Sequence, residues 1–324
     1  MIAFMFPGQG SQFVGMGKAW AEGSEVARSY FERANKALGR DLREICFSGP
    51  EAELTDTRNT QVAIYTVSCI AARLLFDLGL IPDYVLGHSI GEYAALYLAR
   101  SFDFETGLLL VQKRANAMAD AAARNPGTMA AVIRLDPRLV EETCRELAAE
   151  TGGALSVAGF NSPEQTVISG SRDLIEQATR VLKEKGAKRV VQLQVSGAFH
   201  SGLMREAQEE LRAAVAGVTL RKPSTLFISN HDARPVTDPA ILEEHLPNQL
   251  THPVRWTESL EFLKRQGCQA WLEAGPGTVL TGLLSKFDPD AASASLSDLA
   301  SFETAVAGFR AYQCGIREQF EALH

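Results

Sequence analysis

Gly87-His88-Ser89-Ile90-Gly91 is a G-x-S-x-G pentapeptide set between a short apolar run, Tyr84-Val85-Leu86, and an Ala- and Leu-rich segment, Glu92 to Leu98. A serine on a sharp strand-to-helix turn needs small neighbours, because only then does the backbone bend steeply enough to lift its Oγ clear of the sheet edge. The helix amides beneath it, notably the N–H of Ile90, are then placed to hold an oxyanion. The chemistry is nucleophilic attack by Ser89 on an acyl carbon. The plainer alternative is a glycine-flanked turn with a capping serine.

A serine hydroxyl is a weak nucleophile until a base takes its proton, and the candidate bases are the histidines. His88 adjoins the serine, and its ring is expected to point away and support the turn. His324 is terminal, and His231, His245 and His252 lie in polar or capping surroundings that read as surface. His200 differs, because it follows the apolar segment Val191 to Phe199 and can reach a cleft from there. An ordinary α/β hydrolase has its residues in the order Ser, acid, His, with the acid at a strand end. The acids between Ser89 and His200 fall on predicted helices or in an inserted lobe, which counts against that reading.

The elements that must position these residues follow from periodicity and turn chemistry. Ile2 to Phe6 reads as a buried strand ended by Pro7-Gly8, and Thr60 to Leu78 as a helix stopped at Gly79. Phe102 to Ala122 reads as a helix with Asp103 as its cap. From Met129 the rhythm becomes strand, helix Pro137 to Ala149, strands Leu155 to Phe160 and Thr166 to Ser169, helix Asp173 to Lys185, and strand Lys188 to Leu193. That is the β-α-β-β-α-β order of a ferredoxin-like unit. Afterwards α/β alternation resumes, with strands Leu226 to Ser229 and Ala270 to Glu273 among helices. The expected fold is α/β: an α/β-hydrolase-like body formed by residues 1–126 and 196–324, with a ferredoxin-like (βαββαβ) subdomain inserted over 127–195. Asp288 to Ser301 reads as a loosely packed connector, and Phe302 to Leu323 as a terminal helix.

Composition narrows the classes. With 46% hydrophobic residues and a net charge of −7, from 32 basic and 39 acidic residues, the chain reads as a globular protein without the basic footprint of nucleic-acid binding. No apolar run approaches the roughly 20 residues of a membrane span, and the amino terminus lacks a secretory pattern. The five cysteines form no C-x-x-C pair and no H-E-x-x-H occurs, which argues for reduced thiols and against a structural metal. A cytoplasmic monomer with no bound cofactor is expected. Gly8-Gln9-Gly10 and Gly275-Pro276-Gly277 each begin like a dinucleotide loop and lack its third glycine. The first pair also suits a backbone brought close to the serine, with Gln9 facing a reacting group.

Phe6-Pro7-Gly8-Gln9-Gly10-Ser11-Gln12, Gly87-His88-Ser89-Ile90-Gly91-Glu92-Tyr93, Lys113-Arg114, Asn161-Ser162-Pro163, Ala198-Phe199-His200-Ser201, Asn248-Gln249-Leu250 and Gly275-Pro276-Gly277 occur in that order along the chain. Together they resemble the malonyl-CoA:acyl carrier protein transacylase family, including the acyltransferases of polyketide synthases. The resemblance implies acyl transfer from malonyl-CoA through an ester on Ser89 to the 4'-phosphopantetheine thiol of an acyl carrier protein, with His200 as base and then acid. It implies that the Gln249 backbone carbonyl orients the imidazole, accounting for the missing carboxylate. The amides of Gln9 and Ile90 become the oxyanion hole, and Arg114, otherwise readable as a mid-helix surface residue, pairs with the free malonyl carboxylate. Ile90 and Phe199 are implied to set acyl selectivity, and Asn161 and His88 to lie at the cleft. A serine esterase or thioesterase, giving the acyl group to water, is the competing activity.

Three positions depart from the family's pattern: Gly197 where many polyketide acyltransferases have His, Val62 where Pro usually follows Thr-Gln, and Arg100 where Gly is usual. The Ala198-Phe199-His200 ending favours a freestanding enzyme serving a polyketide synthase over one of fatty-acid synthesis. Carrier proteins are typically acidic and so is this chain, so docking needs a local basic patch, for which Lys183, Lys185, Lys188 and Arg189 are candidates.

Overall fold

The computed structural model of the protein describes residues 1–297, 304–308 and 310. Its strands, in chain order, are β1 (Ile2–Phe6), β2 (Tyr84–Gly87), β3 (Gly127–Ile133), β4 (Leu155–Ser162), β5 (Gln165–Ser171), β6 (Arg189–Gln192), β7 (Leu226–Ile228), β8 (Pro235–Val236), β9 (Ala270–Glu273) and β10 (Ala292–Ser295). They form a six-stranded sheet in the order β10-β9-β1-β2-β7-β8 and a four-stranded sheet in the order β4-β5-β3-β6. The larger is parallel except for β8, which runs against β7. The smaller is antiparallel throughout and, with helices Pro137–Thr151 and Arg172–Glu184, has the ferredoxin-like arrangement.

Period-2 alternation in β1 explains why the large sheet is covered on both faces. Ile2, Phe4 and Phe6 enter one core beneath the helices Thr57–Asp77 and Phe104–Arg124. Ala3 and Met5 enter the other, with Trp256 and Leu260 of helix Trp256–Arg265 and Leu280 of helix Val279–Phe287. The small sheet has its own one-sided core, in which Val132 and Ile168 meet Val140, Cys144 and Leu182. A short backbone bridge ties β4 to the segment before the helix Trp256–Arg265: Val254 N–H donates to the Ala158 carbonyl and Phe160 N–H to the Val254 carbonyl, each at 2.9 Å.

Asp103 caps its helix as expected, accepting from the N–H of Thr106, and Asp136 caps the helix Pro137–Thr151 in the same way, accepting from the N–H of Arg138. Four helices between Lys18 and Thr55 resolve what reads from sequence as one helical stretch, and the caps Ser24 and Asp41 mark two of their starts. The segment expected to be a loose connector contains β10 instead. Its Ala-Ser-Ala-Ser sequence has little strand preference, and parallel pairing with β9 supplies the order. Of the terminal helix expected over Phe302–Leu323, residues 304–308 and 310 are helical and the rest lie outside the described residues. Arg100 has φ of 61°, which explains why glycine suits that position, and its guanidinium lies over the Phe76 ring. No helix among the described residues is long and apolar enough to cross a membrane.

The packing of the serine turn against β1 is set by backbone. A Cβ on Gly91 would stand 2.1 Å from the Phe6 carbonyl oxygen, and one on Gly87 2.0 Å from the Gly91 carbonyl carbon. Neither obstacle is a side chain that can rotate away. Gly91→Ala is therefore expected to lower the unfolding free energy by about 2–4 kcal/mol in urea denaturation, and a loss below about 0.5 kcal/mol would contradict this packing.

Candidate active site

The site sits at the carboxyl ends of β1, β2 and β7, where open parallel sheets form their crevices. β2 ends at Gly87, the helix Gly91–Leu98 begins four residues later, and Ser89 lies between them with φ of 53°. A left-handed conformation costs a non-glycine residue roughly 1–2 kcal/mol, so neighbouring groups must hold it. They do so on both sides. Ser89 N–H donates to Asn230 Oδ1 at 2.8 Å, Asn230 Nδ2 donates to the Gly87 carbonyl at 2.7 Å, and Gln249 Nε2 donates to the Ser89 carbonyl at 3.0 Å.

Ser89 Oγ is 2.8 Å from His200 Nε2, and His200 Nδ1 is 2.8 Å from the Gln249 carbonyl oxygen. A carbonyl only accepts, so Nδ1 carries the proton and Nε2 presents its lone pair to the serine hydroxyl. Burial, reinforced by the nearby Arg114 charge, pushes the His200 pKa down to about 3. The imidazole is therefore neutral at neutral pH and ready to accept a proton. His200 hydrogen-bonds to no carboxylate among the described residues, so the acid missing from the sequence is missing from the site as well.

Arg114 corrects the sequence-based view of it as a mid-helix surface residue: it is 1% exposed. It falls on the buried stripe of its helix with Gly107, Val111 and Met118, so helical spacing already placed an arginine among core positions. Its Nη1 donates to Gln61 Oε1 at 2.6 Å, while its Nη2 donates to Gln249 Oε1 at 2.8 Å and to Ser89 Oγ at 3.0 Å. Its Nε is buried without a partner. Burial lowers its pKa, yet a guanidinium stays charged, so the site contains a fixed cation beside the serine hydroxyl.

A cavity of about 520 Å³ brings together Gln9, Ile90, Phe199, Arg114 and the Ser89–His200 pair. The backbone N–H groups of Gln9 and Ile90 engage no acceptor among the described residues. Gly8 is what lets Gln9 come close, since a Cβ there would lie 2.7 Å from the His88 carbonyl oxygen. His88 and Asn161 also line the cavity, with His88 Nε2 2.9 Å from Asn161 Oδ1, a contact that ties β4 to the serine turn. His231 and His245, expected at the surface, are half-buried and stacked with ring centroids 4.4 Å apart. After the Gly275–Gly277 loop, the amides of Leu280 and Thr281 at the start of the following helix are already taken by the buried Glu273 carboxylate. No group of three or more His, Cys, Asp or Glu residues among those described is arranged to hold a metal.

Sequence reasoning missed Gln61, Glu92 and Asn230. Gln61 and Asn230 carry no titratable group to flag them. Glu92 follows the pentapeptide directly, and only its burial, which pushes its pKa up to about 8, marks it as unusual.

Residues 3–297 match the family model for the acyl transferase domain. The malonyl CoA-acyl carrier protein transacylase of Bacillus subtilis strain 168 is 38% identical over 94% of this chain and 96% of its own length. Among solved structures, an acyl-carrier-protein S-malonyltransferase from Burkholderia pseudomallei superposes with a TM-score of 0.89 at 40% identity, covering 94% of this chain and 99% of that one. PlMCAT, solved in complex with AntF, a holo type II PKS acyl-carrier protein, superposes with a TM-score of 0.91 at 37% identity, covering 95% and 99%. The transferase's motifs, its two-sheet fold and these likenesses agree, and the chain belongs to the malonyl-CoA:acyl carrier protein transacylase family.

Proposed function

We propose that the protein moves a malonyl group from malonyl-CoA, through an ester on Ser89, to the 4'-phosphopantetheine thiol of an acyl carrier protein. The observation that carries this reading is the convergence of His200 Nε2 and Arg114 Nη2 on one hydroxyl, at 2.8 and 3.0 Å. A base beside the serine makes a nucleophile, and a buried guanidinium beside the same serine selects an acyl group that ends in a carboxylate.

Ser89 Oγ gives its proton to His200 Nε2 as it attacks the thioester carbonyl, and the amides of Gln9 and Ile90 stabilise the oxyanion. The intermediate collapses as the imidazolium returns that proton to the departing CoA sulfur, leaving CoA thiol and malonyl-Ser89. In the second half the carrier thiol gives its proton to Nε2, its sulfur attacks the ester carbonyl, and Ser89 Oγ leaves with the proton. The Gln249 carbonyl keeps the imidazole in one tautomer through both halves and stabilises the imidazolium between them. Arg114 pairs its planar fork with the malonyl carboxylate, two carbons from the carbonyl under attack. An acetyl group would leave that buried charge without its partner. Ile90 and Phe199, only 1% and 5% exposed, crowd the α-carbon against a methyl branch. One methylene is worth about 1–3 kcal/mol, so preference over methylmalonyl is partial.

The cytoplasm is the setting this reading implies, supported by four buried free thiols among the described residues. The enzyme acts as a monomer without a bound cofactor. The carrier docks by a local basic patch, for which exposed Lys183, Lys185, Lys188 and Arg189 are available, although Lys185 also bonds Glu146 at 3.3 Å. The Ala198-Phe199-His200 ending and the likeness to a transacylase solved with a type II PKS carrier favour service to a polyketide synthase.

Three outcomes test the reading. Labelled malonyl-CoA should leave an ester on the protein that a holo carrier protein removes, and Ser89→Ala should abolish it; rapid release to water without carrier acylation would establish a hydrolase instead. Arg114→Ala should lower kcat/KM for malonyl transfer roughly a hundredfold, equivalent to about 2–3 kcal/mol, while acetyl transfer changes far less; equal losses would remove its assigned role. Because the folded His200 titrates far below the usual 6.5, acid should not disable the base until well under that value. The rate of acyl-enzyme formation, read as kcat/KM against pH, should stay level from pH 8 to about pH 5, and an acid limb centred at or above 6.5 would contradict the burial argument.

A further inference from the structure

Glu92 is 1% exposed on the helix that follows the serine, and no step of the transfer uses it. Its Oε1 accepts from the backbone N–H of Asn230 at 2.5 Å, and its Oε2 accepts from Gln249 Nε2. Both oxygens face donors, so the hydrogen bonds around the carboxyl are those of an ionised, acceptor-only group, and with the nearby Arg114 charge they oppose the burial that pushes its pKa up. The Gln249 amide lies between two chemically opposite neighbours. Its Nε2 also donates to the Ser89 carbonyl at 3.0 Å, while its Oε1 accepts from Arg114 Nη2 at 2.8 Å.

A primary amide has one donor end and one acceptor end, and a guanidinium has no acceptor at all. Turning the Gln249 amide over would set its oxygen against Glu92 and the Ser89 carbonyl, and its NH2 against Arg114. Every favourable contact would become a like pair, in a buried place where an unmade hydrogen bond is most costly. The orientation is therefore fixed from both ends, by Glu92 and the Ser89 carbonyl on the donor side and by Arg114 on the acceptor side, and the guanidinium takes its aim from the amide oxygen so held.

We propose that Glu92 is a positioning residue for carboxylate recognition: by accepting from Gln249 Nε2 it fixes which end of that amide meets Arg114, and so aims the guanidinium at the Ser89 hydroxyl. The inference rests on the malonyl-transfer reading. Through Asn230 the same carboxyl also braces the serine backbone, which affects every acyl group alike. Its action through Arg114 is specific to substrates that carry a carboxylate, and that difference makes it measurable.

Glu92→Gln preserves volume and destroys the acceptor-only character. In the full-length protein, initial rates of ester formation on Ser89 from malonyl-CoA and from acetyl-CoA give a malonyl-to-acetyl ratio. Glu92→Gln is expected to lower that ratio at least tenfold, and to leave it unchanged when Arg114 is already Ala. Equal losses for both acyl groups, or a wild-type ratio, would overturn the proposal. Gln249→Met keeps the backbone carbonyl that His200 uses and deletes the amide, so it tests the relay even if the first variant does not fold. It too should lower the ratio at least tenfold, and an unchanged ratio would overturn the relay. If the wild-type protein forms no malonyl ester, the functional reading fails and this inference falls with it. If wild type and Arg114→Ala behave as proposed while both relay variants keep the ratio, the inference alone fails.

Discussion

A neutral imidazole with its Nδ1 proton held by a backbone carbonyl is the constraint around which the site is arranged. His200 reaches Ser89 Oγ at 2.8 Å and the Gln249 carbonyl at 2.8 Å, in a place from which water is largely excluded. A carboxylate in the carbonyl's position would raise the basicity of the imidazole and would also compete for Arg114. A site that selects a substrate by its carboxylate gains from having none of its own in contact with the guanidinium. The buried Glu92 is compatible with this logic: its hydrogen bond goes to the Gln249 amide, which in turn accepts from Arg114.

The fold serves this arrangement by delivering three strand ends to one edge. β1 supplies Gln9, β2 supplies Ser89, and β7 supplies Asn230, while Arg114 comes from a helix beneath and His200 from the segment returning from the small sheet. Two residues at the centre, Ser89 and His200, have positive φ, 53° and 57°. Strain of that kind persists only where surrounding bonds over-determine it, and the Asn230 and Gln249 contacts on Ser89 are of that sort. The nucleophile geometry and the proposed carboxylate site thus share parts, since Gln249 touches the histidine, the arginine and the serine backbone together.

Much of this was legible in the residues. The apolar run Ile2–Phe6 ended by Pro7-Gly8, the capping Asp103, and the G-x-S-x-G turn each express a local rule, and local rules survive folding. Its place after the apolar segment Val191 to Phe199 already set His200 apart among the six histidines, whereas the assignments of Gln249 and Arg114 came from the order of motifs along the chain. Burial and long-range pairing were not legible. Arg114 read as exposed because arginine usually is, β10 read as a connector because Ala and Ser say little about strands, and Asn230 gave no signal because its role is to bond a backbone 141 residues away. Each of these depends on what lies across the fold.

The tautomer and charge of one ring decide the matter. Nitrogen NMR of the protein labelled in its histidine rings, with His200 assigned by comparison with a His200→Ala variant, reads the protonation of Nδ1 and Nε2 directly. The account predicts a neutral ring at pH 6, protonated on Nδ1 and bare on Nε2. An imidazolium at that pH, or a proton resident on Nε2, would contradict it.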